Sequence, residues 1–244
     1  MRTNLGKDLM GVHLPPITYV MGFLEFPYDQ AVRAFEEWQH GIQSRRGVGV
    51  VRTEVRDKEL VDVLRCLLPL TSVERRRFLF IPTASRWVAY LDNGHQSTDA
   101  VAPMGYLART LKCRGIRVTA MPDKPIPGRY PARILEIYGP NKTQFLNHVR
   151  SIAVASDGGK WTFSAAGEIQ DFEEPQQYSK RLIQERFTTA MLQDYLNALG
   201  LDAFDERFYR GCDGAYSASL IEKHGPSAPN MQEFQLPDVV ALVR

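Results

Sequence analysis

The chain has 244 residues, of which 44% are hydrophobic and 24% charged, and its formal net charge is +2 at pH 7. Those proportions exclude the fibrous and disordered classes and leave room for one large domain or two small ones. The near-neutral balance argues against a dedicated nucleic-acid binder, and the runs Arg45-Arg46 and Arg75-Arg76-Arg77 are short enough to be solvated faces or turn edges.

Residues 1–16 read as irregular and end in Pro15-Pro16. Residues 18–26, TYVMGFLEF, are apolar on both faces, so a buried strand is predicted there, closed by Pro27. Asp29 suits the N-cap of a helix to about residue 43, with Ala31, Phe35, Trp38 and Ile42 on one face. A second strand follows over 47–56. Asp57 then caps a helix whose buried stripe is Leu60, Leu64, Leu67 and Leu68, ended by Pro69. Residues 71–77 form an arginine-rich linker.

Phe78, Leu79, Phe80 and Ile81 form an interior strand, and residues 87–91 return as another. Asp92-Asn93-Gly94 is turn chemistry, since Asn-Gly takes positive φ readily. A helix starts near Ala102 and runs to about Lys112, and residues 115–121 form the next strand. The three prolines and a glycine in 123–131 mark a candidate boundary within a single 1–244 domain. Beyond it, 132–138, 152–155, 161–165 and 168–172 read as short strands, with Asp157-Gly158-Gly159 as a hairpin turn. Residues 176–199 read as helical, with Gly200 as the C′ residue. The last 35 or so residues read as an irregular wrap, with a late strand over 236–243. The fold class expected is α+β, a mixed, mostly antiparallel sheet with packed helices. The echo of Arg86-Trp87-Val88-Ala89 in Lys160-Trp161-Thr162-Phe163 raises two tandem α+β halves. Trp87 and Trp161 are both expected to be buried on strands.

Asp92, His95 and Asp99 lie within eight residues between a strand and a helix. A histidine with two carboxylates could serve as a general base with its orienter, or contribute to a metal site. Each is also what a turn before a helix requires on its own. Arg86, Trp87, Asp92, Asn93, His95 and Asp99 are taken together as a solvent-accessible binding surface at one end of the strand pair. Glu168, Asp171, Glu173 and Glu174 read as a solvated strand end, and Arg181 with Glu185 as a surface ion pair on a helix. No dinucleotide fingerprint, phosphate loop, HExxH or nucleophile elbow is present. No catalytic residue, cofactor or metal is assigned.

Cys66, Cys113 and Cys212 form no disulfide framework and no CxxC pair, and Cys66 reads as a buried thiol. The N-terminal segment lacks the apolar core of a signal peptide, and no apolar run approaches the roughly 20 residues of a membrane span. Together these lead to the expectation of a cytoplasmic protein without a membrane partner.

The segments SRWVAYLDNGHQSTD with LKCRGIRV, and KWTFSAAGEIQDFEEPQQY with RFTTAMLQDYLNALGLDAFDERFY, resemble uncharacterised bacterial proteins associated with toxin-immunity gene neighbourhoods. The resemblance covers roughly a third of the chain and carries over no catalytic residue. It implies a cytoplasmic protein that binds another protein. Taken with the absence of catalytic signatures, the leading expectation is a non-enzymatic binding protein of the immunity type that neutralises a partner toxin. The alternative is a small-molecule enzyme, a hydrolase or transferase, built on Asp92, His95 and Asp99.

Overall fold

In the computed structural model, which describes residues 8–211 and 214–241, the first strand is β1 (Val20–Glu25), buried from Val20 to Leu24. Helix α1 (Tyr28–Gln43) turns Ala31, Val32 and Phe35 inward. Pro27 occupies its N-cap; Asp29 falls in the first turn, where its charge suits the helix dipole. Strand β2 (Gly49–Val55) is followed by the short α2 (Leu60–Arg65), which starts from Glu59 because Asp57 is held at φ 56, outside helical geometry. Then come β3 (Leu70–Thr71), β4 (Arg77–Pro82), β5 (Trp87–Asp92), α3 (Val101–Leu111) and β6 (Gly115–Met121). The second half brings β7 (Ala132–Tyr138), β8 (His148–Ser156), β9 (Trp161–Gly167), α4 (Thr189–Ala198), β10 (Ala218–His224), β11 (Glu233–Phe234) and α5 (Leu236–Ala241).

Among the described residues, nine strands join one sheet in the order β2-β10-β4-β5-β1-β6-β7-β8-β9, and every ladder in it is antiparallel. With helices packed on the sheet, this is the expected α+β class. β5 is buried at all six positions, as its double-sided apolar sequence demands. Residues 123–131 connect β6 to β7, which pair along their whole length from Gly115↔Tyr138 to Met121↔Ala132.

The alternation of side chains divides the core in two. Phe78, Phe80, Tyr90 and Leu24 face α1 and α3, where Phe35 sits against Phe78, Phe80 and Tyr90. Leu79, Ile81, Trp87, Leu91, Val118 and Leu135 face the other way, against α2, α4 and the segment from Leu9 to Ile17. Gly22 and Gly115 let α3 lie close to the sheet: a Cβ on Gly22 would meet Met104 Sδ at 2.7 Å, and one on Gly115 the Met104 carbonyl at 2.9 Å.

Several expectations are corrected. Residues 218–224 are not irregular; they form β10, an interior strand between β2 and β4. Residues 236–241 are helical, and position 243 lies outside the described residues. Residues 168–172 form no strand, and 176–187 holds two 3-10 turns (Pro175–Ser179 and Ile183–Glu185) ahead of α4. Arg181 and Glu185 therefore do not share a helix. Glu173 is not solvated: its carboxylate is fully buried against Arg150. Cys66 is half-buried at the end of α2, with its thiol donating to the Asp62 carbonyl at 3.4 Å, and Cys113 is also free. Cys212 lies outside the described residues. No helix among them is long and apolar enough to cross a membrane.

Candidate functional site

The loop after β5 is drawn in on its own carboxylate. Asp92 Oδ1 accepts from the Gly94 amide at 3.0 Å and lies 3.2 Å from Arg75 Nε. Its Oδ2 accepts from the Asp99 amide at 2.9 Å, and the Tyr90 hydroxyl stands 3.4 Å away. Burial pushes the Asp92 carboxyl up to about 6, against the pull of Arg75 and the two amides. Gly94 is required here for close approach, not for positive φ: a Cβ would meet the Ser97 carbonyl at 2.4 Å.

Asn93 works on the other side of the turn. Its Oδ1 accepts from the amides of Arg76 (2.9 Å) and Arg77 (3.1 Å), and its Nδ2 donates to the Pro69 carbonyl at 2.8 Å. It is buried, and it ties the arginine-rich linker to the end of β5. Half-buried His95 stacks on Phe234 with centroids 5.2 Å apart, and its Nδ1 lies 3.2 Å from the Thr71 carbonyl. Burial lowers its pKa. Asp99 is exposed at the entrance to α3.

Arg86 and Trp87 stand at the other end of β5, roughly 17 Å away for a strand rising about 3.3 Å per residue. Trp87 is 1% exposed and donates from Nε1 to the Leu199 carbonyl at 2.9 Å. Arg86 is exposed and pairs with Glu25 at 2.7 Å. The six residues grouped by the sequence therefore fall into two places. Asp92, Asn93 and Trp87 face inward, so the expectation of an accessible loop holds only for Gln96 and Asp99. Asp92, His95 and Asp99 do not converge on a common point, because the Asp92 carboxylate is enclosed by its own loop. Among the described residues no group of three or more His, Cys, Asp or Glu is placed to hold a metal.

The run Arg75-Arg76-Arg77 is turned to internal use. Arg75 meets Asp92. Arg76 donates to the carbonyls of Lys223, Gly225 and Pro226. Arg77 pairs with Glu222 at 3.1 Å.

A different region carries the features of a contact surface. The helices α1 and α3 cover one face of the sheet only as far as β7. Register places Glu136, Ser151 and Ala166 on one rung, and Ile134, Ala153 and Ser164 on the next. Arg117, opposite Glu136, lies two residues from Gly115 beneath α3, so these rungs belong to the α3 face. Beyond α3, Ser151 and Ala153 are half-buried, and Ser164 and Ala166 are exposed. A cavity of about 590 Å³ opens there, lined by Glu136, Phe145, His148, Ser151, Ala166 and Glu168 among others.

Its polar end is organised. Glu136 Oε2 accepts from Arg117 Nη1 at 2.9 Å and from the Tyr138 hydroxyl at 3.1 Å. Burial, with the Glu136 charge beside it, drives the Tyr138 pKa far up, so the phenol stays a donor. The His148 ring lies 4.5 Å from that of Tyr138 and 5.1 Å from that of Phe145. The apolar end is the turn between β7 and β8. Asn147 Nδ2 donates to the carbonyls of Gly139 (2.8 Å) and Gly105 (2.9 Å), fastening the turn to α3. The Thr143 amide bonds the Leu146 carbonyl at 2.8 Å. So held, the turn presents Phe145 at 66% and Leu146 at 60% exposure. Leu146 sits at φ 54, a left-handed conformation that a bulky apolar residue rarely adopts. Sequence reasoning assigned nothing here. The available signal was an adjacent Phe-Leu pair inside the polar turn GPNKTQFLN.

No protein-family model matches the chain, and no curated protein and no solved structure matches it either.

Proposed function

We propose that this chain is a non-enzymatic protein-binding protein and that the helix-free part of its sheet, edged by Phe145 and Leu146, is its contact surface. The observation that carries this reading is the Phe145–Leu146 turn. Two large apolar side chains are held out in water beside a cavity, on a backbone strained at Leu146. Contiguous exposed apolar groups with a polar border are typical of interaction sites, and buried aromatic anchors dominate binding energy once a partner covers them. The partner's apolar anchor would lie over Phe145, with a hydrogen-bonding group reaching Glu136 and His148. In its narrower form the partner is a toxin that the chain neutralises in the cytoplasm. That form is supported by the resemblance of the segments around Trp87 and Trp161 to proteins of toxin-immunity neighbourhoods. The free thiols Cys66 and Cys113 suit a reducing compartment.

The test is affinity capture from the native cell with the parent chain and with the double substitution Phe145→Asp/Leu146→Asp. Both side chains are mostly exposed, so the melting temperature should change little while the captured protein is lost. A partner retained by the double variant would sink the assignment of this surface. Loss caused instead by His95→Ala or Asp99→Ala would move the contact to the loop after β5.

A further inference from the structure

The two edges of the sheet are not alike. β2 carries Arg52 and Glu54, which pair with each other at 2.7 Å, and charged side chains of this kind guard an edge against addition of a further strand. β9, sequence WTFSAAG, has no charged residue, no proline and no bulge in its ladder with β8. It is the last strand of the sheet, and residues 164–167 are exposed on both faces. The Glu168 amide bonds the Val149 carbonyl and the Asp157 amide the Lys160 carbonyl. These two bonds fix the phase of the ladder: Thr162, Ser164 and Ala166 turn their backbone groups to β8. Phe163 and Ala165 turn theirs outward.

We propose that two copies of this chain join through β9, antiparallel about a two-fold axis at Ser164, to make one continuous sheet. In that register Phe163 lies opposite Ala165 of the second copy, and both have outward-facing backbone groups. Each such pair exchanges two backbone hydrogen bonds, and the two-fold repeats them. The same register sets large against small along the rest of the strand, with Thr162 opposite Ala166 and Trp161 opposite Gly167. It also sets Lys160 of each copy opposite Glu168 of the other. Both residues are exposed, and neither has an ion pair of its own among the described residues. A uniform edge would accept many strands; the match of size along β9 and of charge at its ends singles out a second β9. The proposal rests on the outward backbone groups of β9 and not on the Phe145–Leu146 turn, although the cavity beside that turn shares Ala166 and Glu168 with the β9 edge.

The experiment is sedimentation equilibrium of the full chain with three kinds of substitution. The parent chain should be a dimer. Ala165→Pro removes only an outward amide, which an edge strand tolerates, so the protein should stay folded by circular dichroism and become monomeric. Lys160→Glu and Glu168→Lys should each weaken dimerisation by about tenfold, through two symmetry-related like-charge pairs, and the double reversal should restore it. A parent chain that is monomeric at all concentrations overturns the proposal. So does a dimer indifferent to Ala165→Pro. Dimers lost with either single reversal but not recovered in the double variant would overturn the register.

Discussion

Arg150 grips Glu173 through two parallel hydrogen bonds, Nε to Oε1 at 2.8 Å and Nη2 to Oε2 at 2.6 Å, with both side chains almost wholly out of water. The Tyr178 hydroxyl adds a third bond to Glu173 at 2.7 Å, and the Gln170 amide a fourth at 2.9 Å. The pair fastens residues 168–179, which hold one 3-10 turn and no strand, to β8. Removing one partner leaves a buried charge unpaired, so Glu173→Gln should destabilise the protein by about 3–5 kcal/mol. Replacing both, as Arg150→Met with Glu173→Leu, should cost much less. Urea unfolding of the single and double variants measures the difference; equal losses would show that the charges themselves do not matter.

Asp92 gives a pH dependence whose sign can be worked out. Its carboxyl is raised by burial from 3.8 to about 6, so the folded state holds the proton more tightly than the unfolded chain does. The stability it lends is fully present below pH 3.8 and is lost as pH rises through 6. The loss is on the order of 3 kcal/mol for a shift of this size. Asp92→Asn abolishes the titration. The stability of the parent chain relative to this variant should therefore fall between pH 4 and pH 7, read from urea midpoints; a flat difference would contradict the buried ionisation.

Trp87 and Trp161 should respond very differently to truncation. Trp87 is enclosed and hydrogen-bonded, and Trp87→Ala should cost about 3–5 kcal/mol. Trp161 is half-buried on the sheet edge, with the Arg133 guanidinium 5.5 Å over its ring. Its loss should cost less than about 2 kcal/mol. Thermal unfolding of the two variants ranks them, and comparable losses would mean that β9 is packed more tightly than its exposure indicates.

Gly94→Ala should disturb the turn that Asp92 closes. The added methyl would lie 2.4 Å from the Ser97 carbonyl and 2.6 Å from Arg75 Nε. The arginine can swing aside, but the backbone carbonyl cannot. A loss of about 1–3 kcal/mol is expected, in line with overpacking elsewhere. Hydrogen exchange should localise it to the amides of Gly94 and Asp99; protection unchanged at both would refute the steric reading.

Much of the sheet was legible because its strands are apolar on both faces or alternate cleanly; β7 runs over the expected residues 132–138. β10 was hidden because Ser219 and Glu222 interrupt its apolar pattern. Ser219 is nonetheless fully buried, since its hydroxyl accepts from Tyr28 at 2.9 Å and donates to Glu54 at 2.8 Å, and neither partner is near it in sequence. Residues 236–241 carry β-branched valines, a strand signal that their actual helical geometry overrides. At the candidate site, residue type revealed that Asp92, Asn93 and Gly94 form a turn. It could not reveal that the turn closes inward on Asp92. The Phe145 surface depends on where α3 stops covering the sheet, which only the three-dimensional arrangement discloses.

The placement of β10 also bears on how the protein is made. Glu54 on β2 and Ser219 on β10 are 165 residues apart in sequence, and among the described residues β2 pairs in the sheet with β10 alone. During synthesis at about 5–20 residues per second, β2 waits several seconds with no strand to pair with. Through the same interval the apolar flank of β4 lies open where β10 will later insert. Contacts of such long range make folding slow, and the nascent chain presents two unsatisfied edges, on β2 and β4, until residue 224 has left the ribosome.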